Sequence, residues 1–173
     1  MKSLLIIGAG SFSTEIDELA HLLGYTDIAF VDDNVNTARC QPVVGSMSDI
    51  SVLRNKYDTA IVALGNNENR LKYHKILKEN NYNIPILIHP TAYVSPDTEM
   101  GCGCIIRTKA VVSRYVNLGE SCIVNVGGLI DHDCILGDGC HVLMGAVVRN
   151  KVKVPSGTWI ASNQVYEKEG EPW

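Results

Sequence analysis

The residues best suited to chemistry lie close together in GLIDHDCILGDGCHVLMGA, residues 128–146. His132 stands between Asp131 and Asp133, and His141 follows nine positions on. Histidine titrates near neutral pH and is the natural group to take a proton from an attacking nucleophile. A neighbouring carboxylate can hold one ring nitrogen protonated, orient the ring and steady the imidazolium that forms. Asp131-His132-Asp133 therefore reads as a general-base site, with a polar turn as the plainer alternative. A catalytic zinc centre needs three protein ligands and an open position. Only His132 and His141 are well placed for that, on different faces, so no metal is expected. His21 and His74 fall on amphipathic helical stretches and His89 precedes Pro90, which assigns them packing, solvated or structural roles. No Gly-x-Ser-x-Gly motif is present. Direct transfer of a group between two substrates is then simpler than a covalent enzyme intermediate.

A second group lies near the N-terminus. Gly8-Ala9-Gly10-Ser11-Phe12-Ser13 joins an apolar run to a helical pattern. Glycines there let the backbone approach a ligand, and a helix N-terminus favours anions. Asp32 and Asp33 end the next strand pattern, where a carboxylate can accept hydrogen bonds from ribose or base groups. Gly65-Asn66-Asn67 ends a further one. Ligands of open α/β sheets bind beyond the carboxyl ends of the strands. Ser13 replaces the third glycine of a dinucleotide fingerprint, and only four strands fit, so a full NAD fold is not expected.

The elements that must position these residues come in two kinds. Up to residue 88 the patterns alternate. KSLLIIGAG, DIAFVDD, DTAIVALGNN and IPILIHP read as strands, TEIDELAHLLG and NENRLKYHKILKENNY as helices, and SDISVLRN as a short helix. That order predicts a small parallel sheet covered by helices. From residue 92 an aliphatic recurs every six positions, from Val94, Met100 and Ile106 to Val148, Val154 and Ile160, with Tyr166 in the same register. Two residues before each stands a small or compact residue, such as Cys104, Ala110, Cys122, Cys134 or Cys140. Gly101, Gly119 and Gly137 add a period of 18, with Pro155 next in line. Three sixes per 18 describe a triangular β-solenoid, in which each coil buries its core only by stacking on the next. The aliphatics point inward, and the 18-spaced glycines are expected to supply positive φ at one corner. His132 then occupies a corner, one coil from Arg114 and Asn150, and His141 projects from a flat face.

Composition narrows the classes further. The chain has 173 residues, a net charge of −4 and 46% hydrophobic residues. No basic cluster argues for nucleic acid, and no apolar run of about 18 residues argues for a membrane span. Four of the six cysteines are claimed by the repeat as core fillers. A disulfide framework is therefore not expected, and a reducing cytoplasm is. Domain boundaries are expected at 1–88 for a Rossmann-like α/β domain and 89–173 for the solenoid.

IIGAGSF at the start, FVDDN, ALGNN, IHPTAYVS and IDHDCILGDGCHV, in this order, resemble the sialic acid O-acetyltransferase family of hexapeptide-repeat acyltransferases. Its relatives act as N-acetyltransferases on UDP-4-amino-sugars in surface-glycan pathways. The resemblance spans essentially the whole chain. It implies a Rossmann-like α/β domain followed by a left-handed parallel β-helix, a handedness that the period by itself does not give. It implies acetyl-CoA as co-substrate and a UDP-sugar or related amino sugar, or a sialic acid, as acceptor. His132 would be the general base and Asp133 the acid that raises its basicity. Gly8, Gly10, Ser11, Phe12, Asp32, Asp33, Gly65 and Asn66 would contact the nucleotide sugar, and His141 with Gly145 the acetyl-CoA. A homotrimer, with active sites between adjacent prisms, is implied as well. The C-terminus departs from the pattern, because Asn163-Gln164-Val165 stands where a terminal Gly-x-Pro-Ala segment belongs. The alternative is then a non-catalytic nucleotide-sugar-binding or assembly protein whose shortened solenoid no longer binds CoA. Trp159 and Trp173 are expected to cap the prism end or to pack on a partner.

Overall fold

The structure, a computed structural model, describes residues 2–36 and 38–167. The chain divides into two compact units, Met1–Leu87 and Ile88–Trp173.

The first unit is a four-stranded parallel sheet in the order β3-β2-β1-β4. The apolar run becomes β1 (Ser3–Ile7), whose Leu4, Leu5, Ile6 and Ile7 are wholly buried, as expected for a parallel strand covered on both faces. Next come α1 (Ser11–Leu22), β2 (Asp27–Val31), β3 (Val43–Gly45), α2 (Ile50–Leu53), β4 (Ala60–Val62) and α3 (Asn67–Glu79). Helix α1 starts at Ser11, three residues before the expected helical stretch 14–24, with Gly10 as its N-cap and no capping side chain. Helix α3 is capped by Asn66, whose Oδ1 accepts from the Asn69 N–H at 2.9 Å, a bond typically worth about 1 kcal/mol. The fourth strand differs from expectation. It is Val43–Gly45, a three-residue edge paired with β2, too short to show periodicity. The expected strand IPILIHP instead yields β5 (Leu87–Ile88), which joins a face of the solenoid.

The second unit is a left-handed parallel β-helix. Two-residue strands stack in register at steps of 18: Tyr93, Val111, Leu129, Val147 and Val165 lie one above another on one face. Two other faces carry Glu99, Asn117, Ile135 and Lys153, and Ile105, Ile123, His141 and Trp159. The second residue of each strand turns inward. Ile106, Val112, Leu118, Val124, Ile130, Leu136, Val142, Val148, Val154 and Ile160 are at most 3% exposed and form one continuous core. The compact residues fill beside them. The thiols of Cys104, Cys122, Cys134 and Cys140 each donate to a carbonyl one coil on, at 2.9–3.2 Å. The Cys122 thiol is pushed up to about 12, first by its hydrogen bond with Cys104 and then by burial.

The corners correct the expectation for glycine. Positive φ recurs every six residues, at Gly103, Lys109, Tyr115, Ser121, Gly127, Asp133 and onward to Asn163. Gly101, Gly119 and Gly137 are not among these positions. They are required by close approach instead. A Cβ on Gly101 would lie 2.6 Å from the Glu120 nitrogen, one on Gly119 2.6 Å from the Asp138 nitrogen, and one on Gly137 2.6 Å from the Ser156 nitrogen. Trp159 does not cap the prism. It is the outward residue of its strand and 52% exposed, while its neighbour Ile160 turns inward. Trp173 lies outside the described residues.

Candidate active site

His132 and Asp133 sit at the corner that follows the strand Leu129–Ile130. Burial of Ile130 on the core side forces the next residues around the turn. Asp133 takes the left-handed conformation there, at φ 60°, which aspartate tolerates better than most residues. Asp131 Oδ1 accepts the His132 backbone N–H at 2.8 Å, and the Asp133 N–H donates to the Arg114 carbonyl one coil back at 3.1 Å. With the turn so held, His132 Nδ1 meets Asp133 Oδ2 at 2.7 Å. An ionised carboxylate only accepts, so Nδ1 is the donor and Nε2 carries the lone pair. Both side chains are roughly half exposed, 45% and 47%. They line a cleft of about 340 Å³ with Ser113, Arg114, Tyr115 and Asp131. The arrangement can take a proton from a substrate that enters this cleft.

The adjoining wall comes from the same corner one coil back. Arg114 Nε donates to Asp97 Oδ2 at 2.9 Å, and Arg114 Nη2 donates to the Tyr115 hydroxyl at 3.1 Å. The guanidinium lies 5.0 Å from the Tyr115 ring centroid. Its hydrogen bond to Asp97, above all, holds Arg114 in the charged form. The sequence reading noted Arg114 as a polar neighbour and missed Tyr115 and Asp97. The signal available was the period itself, since Tyr115 stands 18 residues before Asp133.

His141 is not in this cleft. It lies on the face shared with Ile123 and Trp159, projecting outward yet only 3% exposed. Its ring stands edge-on to Trp159, centroids 4.9 Å apart, and Nε2 faces Asn125 Nδ2 at 3.4 Å. Asn125 Oδ1 in turn accepts from Arg107 Nη1 at 2.9 Å and from the Val126 N–H at 2.8 Å. Gly145 occupies a left-handed corner at φ 66°, directly before buried Ala146.

In the first unit the expected contact residues gather at the carboxyl ends of β1, β2 and β4. Gly8 has φ 106°, and a Cβ there would lie 2.8 Å from Leu64 and 3.2 Å from the Ala63 carbonyl, so only glycine fits. Gly10 and Ser11 are exposed and Phe12 is partly so. Asp32 serves the loop itself: Oδ2 accepts the Ala9 N–H at 2.8 Å and Oδ1 the Asn34 N–H at 2.9 Å. Asp33 Oδ1 accepts the Met47 N–H at 2.9 Å, and its exposed carboxylate stands at the strand end. Gly65 and Asn66 follow β4, on the side of β1 away from β2, where the sheet order reverses, the place at which open α/β sheets bind ligands. Arg70, missed by the sequence reading, is fully buried. It donates to the Leu64 and Gly65 carbonyls at 3.1 Å and to Asn67 Oδ1 at 2.8 Å. Its position on a polar helix gave no hint of burial.

The chain is similar to known proteins along both of its units. Residues 3–77 match the family model of the PglD N-terminal domain. The acetyltransferase domain of PglB from Neisseria gonorrhoeae FA1090 is 30% identical with a TM-score of 0.82, over 95% of this chain and 91% of that one. The same domain solved with acetyl coenzyme A is matched at 29% identity and TM-score 0.81, over 94% of this chain and 97% of that one. A histidine-to-asparagine variant of perosamine N-acetyltransferase from Caulobacter crescentus, in complex with CoA and GDP-perosamine, is 26% identical with a TM-score of 0.85, over 97% and 90%.

Proposed function

This chain belongs to the family of hexapeptide-repeat sugar acetyltransferases and is an acyltransferase, and from that premise we propose that it moves an acetyl group from acetyl-CoA to the amine of a nucleotide-linked amino sugar, with His132 as general base. One observation carries the proposal: the 2.7 Å bond between His132 Nδ1 and Asp133 Oδ2 inside an open cleft. It leaves Nε2 free to take the proton as the amine attacks the thioester carbonyl. Asp133 stabilises the imidazolium so formed, which then returns the proton to the departing thiolate. Direct transfer needs no nucleophile from the protein.

The glycine loop Gly8–Phe12 and the helix N-terminus behind it favour the diphosphate. Asp32 keeps that loop in shape, Asp33 offers an acceptor to the base or ribose, and Gly65 with Asn66 closes the site. His141 and Gly145 border the acyl donor along the solenoid. Two observations support this reading. The PglB domain solved with acetyl coenzyme A is spanned over 97% of its length, so the departure at Asn163-Gln164-Val165 does not argue for a solenoid too short to bind the donor. The Caulobacter enzyme holds a nucleotide amino sugar together with CoA. A homotrimer in the cytoplasm completes the proposal, and sedimentation of the purified chain tests the trimer. Among the described residues no helix is long and apolar enough to cross a membrane.

The experiment is acetyl-CoA consumption measured against a panel of UDP- and GDP-linked amino sugars and free sialic acids. Turnover is expected on a nucleotide-linked amine. Nucleotide-sugar binding without CoA binding or turnover would instead favour the non-catalytic alternative.

A further inference from the structure

We propose that Tyr115, clamped by Asp97 and Arg114, is the platform on which the acceptor sugar ring lies, and so determines which sugar presents its nucleophile to His132. The inference rests on reading the His132 cleft as the acceptor site. The chain of contacts is specific. Asp97 Oδ2 holds Arg114 Nε at 2.9 Å, Arg114 Nη2 holds the Tyr115 hydroxyl at 3.1 Å, and the guanidinium covers the ring at 5.0 Å. Tyr115 and Asp133 occupy equivalent left-handed corners, at φ 58° and 60°. The Asp133 N–H donates to the Arg114 carbonyl, so the two corners are one strand spacing apart, about 4.8 Å.

The consequence is an aromatic ring held beside His132, lining the cleft and 57% exposed overall. An exposed aromatic normally loses rotamer freedom when it binds. Here the clamp has already removed it. The phenol oxygen accepts from Arg114, which orients the ring and leaves its uncovered surface for a ligand. A pyranose has an apolar C–H face and a polar rim. The ring takes the first, and Ser113, Asp131 and the Arg114 guanidinium surround the second. Ligand sites of this kind combine an apolar surface with a few polar groups that fix orientation, and positioning of the nucleophile against its base governs rate.

The test compares affinities for a nucleotide diphosphate and for the corresponding nucleotide amino sugar by calorimetry, in wild type, Tyr115→Ala and Tyr115→Phe. In wild type the sugar adds affinity. Tyr115→Ala is expected to lose roughly tenfold of that increment with nucleotide affinity unchanged, and Tyr115→Phe, which keeps the ring but loses its bond to Arg114, to lose only part of it. In turnover, Tyr115→Ala raises the acceptor KM and leaves the acetyl-CoA KM alone. A full sugar increment in Tyr115→Ala overturns the platform while leaving the acceptor site in place. An equal loss in Tyr115→Phe overturns it in favour of a phenol hydrogen bond. A wild type that gains nothing from the sugar overturns the acceptor-site reading and the platform together.

Discussion

In the proposed reaction the 2.7 Å contact at His132 gives two adjacent residues different jobs, and substitution separates them. His132→Ala removes the base, and turnover is expected to fall about 10²–10⁴-fold, with the circular dichroism spectrum and unfolding midpoint unchanged because the side chain is half exposed. Asp133→Asn is the cleaner probe of the partner, since asparagine also accepts the left-handed corner. It removes the charge that steadies the imidazolium, so a smaller loss in kcat is expected, without a change in acceptor KM. Near-normal kcat in both variants would remove the proton-transfer role. His132 was legible in the sequence because a histidine between two aspartates is left over once the repeat has claimed its neighbours. Arg114 and Tyr115 were not, because a single corner gives no sign that its side chains bond to each other and to the corner before.

At the scale of the element, the hexapeptide period showed which residue of each strand turns inward. It did not show why glycine recurs at 18. The reason is the coil spacing: Cα of Gly119 lies so close to the next coil that a Cβ would sit 2.6 Å from the Asp138 nitrogen. Gly119→Ala is therefore expected to force the coils apart and cost about 1–3 kcal/mol, read as a lower urea midpoint. Unchanged stability would show that the corner yields freely. The α/β unit was less readable at its short elements. Val43–Gly45 is a strand only because β2 offers it a free edge. Burial of Arg70 is likewise decided by the loop it grips, Leu64–Asn67, and not by the polar helix that carries it.

For the whole molecule, alkaline pH is the lever that burial predicts. Burial pushes the Tyr82 phenol from 10.0 up to about 12, and its hydroxyl donates to the Ile50 carbonyl at 2.6 Å. The Cys122 thiol moves from 9.0 to about 12. Both groups stay protonated in the folded chain at pH values where the unfolded chain has ionised them. Their contribution is full below pH 9.0 to 10.0 and drains as pH rises through about 12. Urea midpoints measured between about pH 8 and pH 11 should fall, and Tyr82→Phe should flatten that fall while costing about 1 kcal/mol at neutral pH. A slope identical to wild type in that variant would remove Tyr82 from the account. The sequence by itself determined the two-part organisation, the inward wall of the solenoid and the corner that carries His132, because periodicity and residue chemistry are local properties. Only the tertiary structure decided which chain segment completes the parallel sheet, what the 18-spaced glycines are for, and that His141, although outward on its face, is buried. Each of these depends on how closely one backbone approaches another, and residues 18 or more apart carry no local signal of that distance.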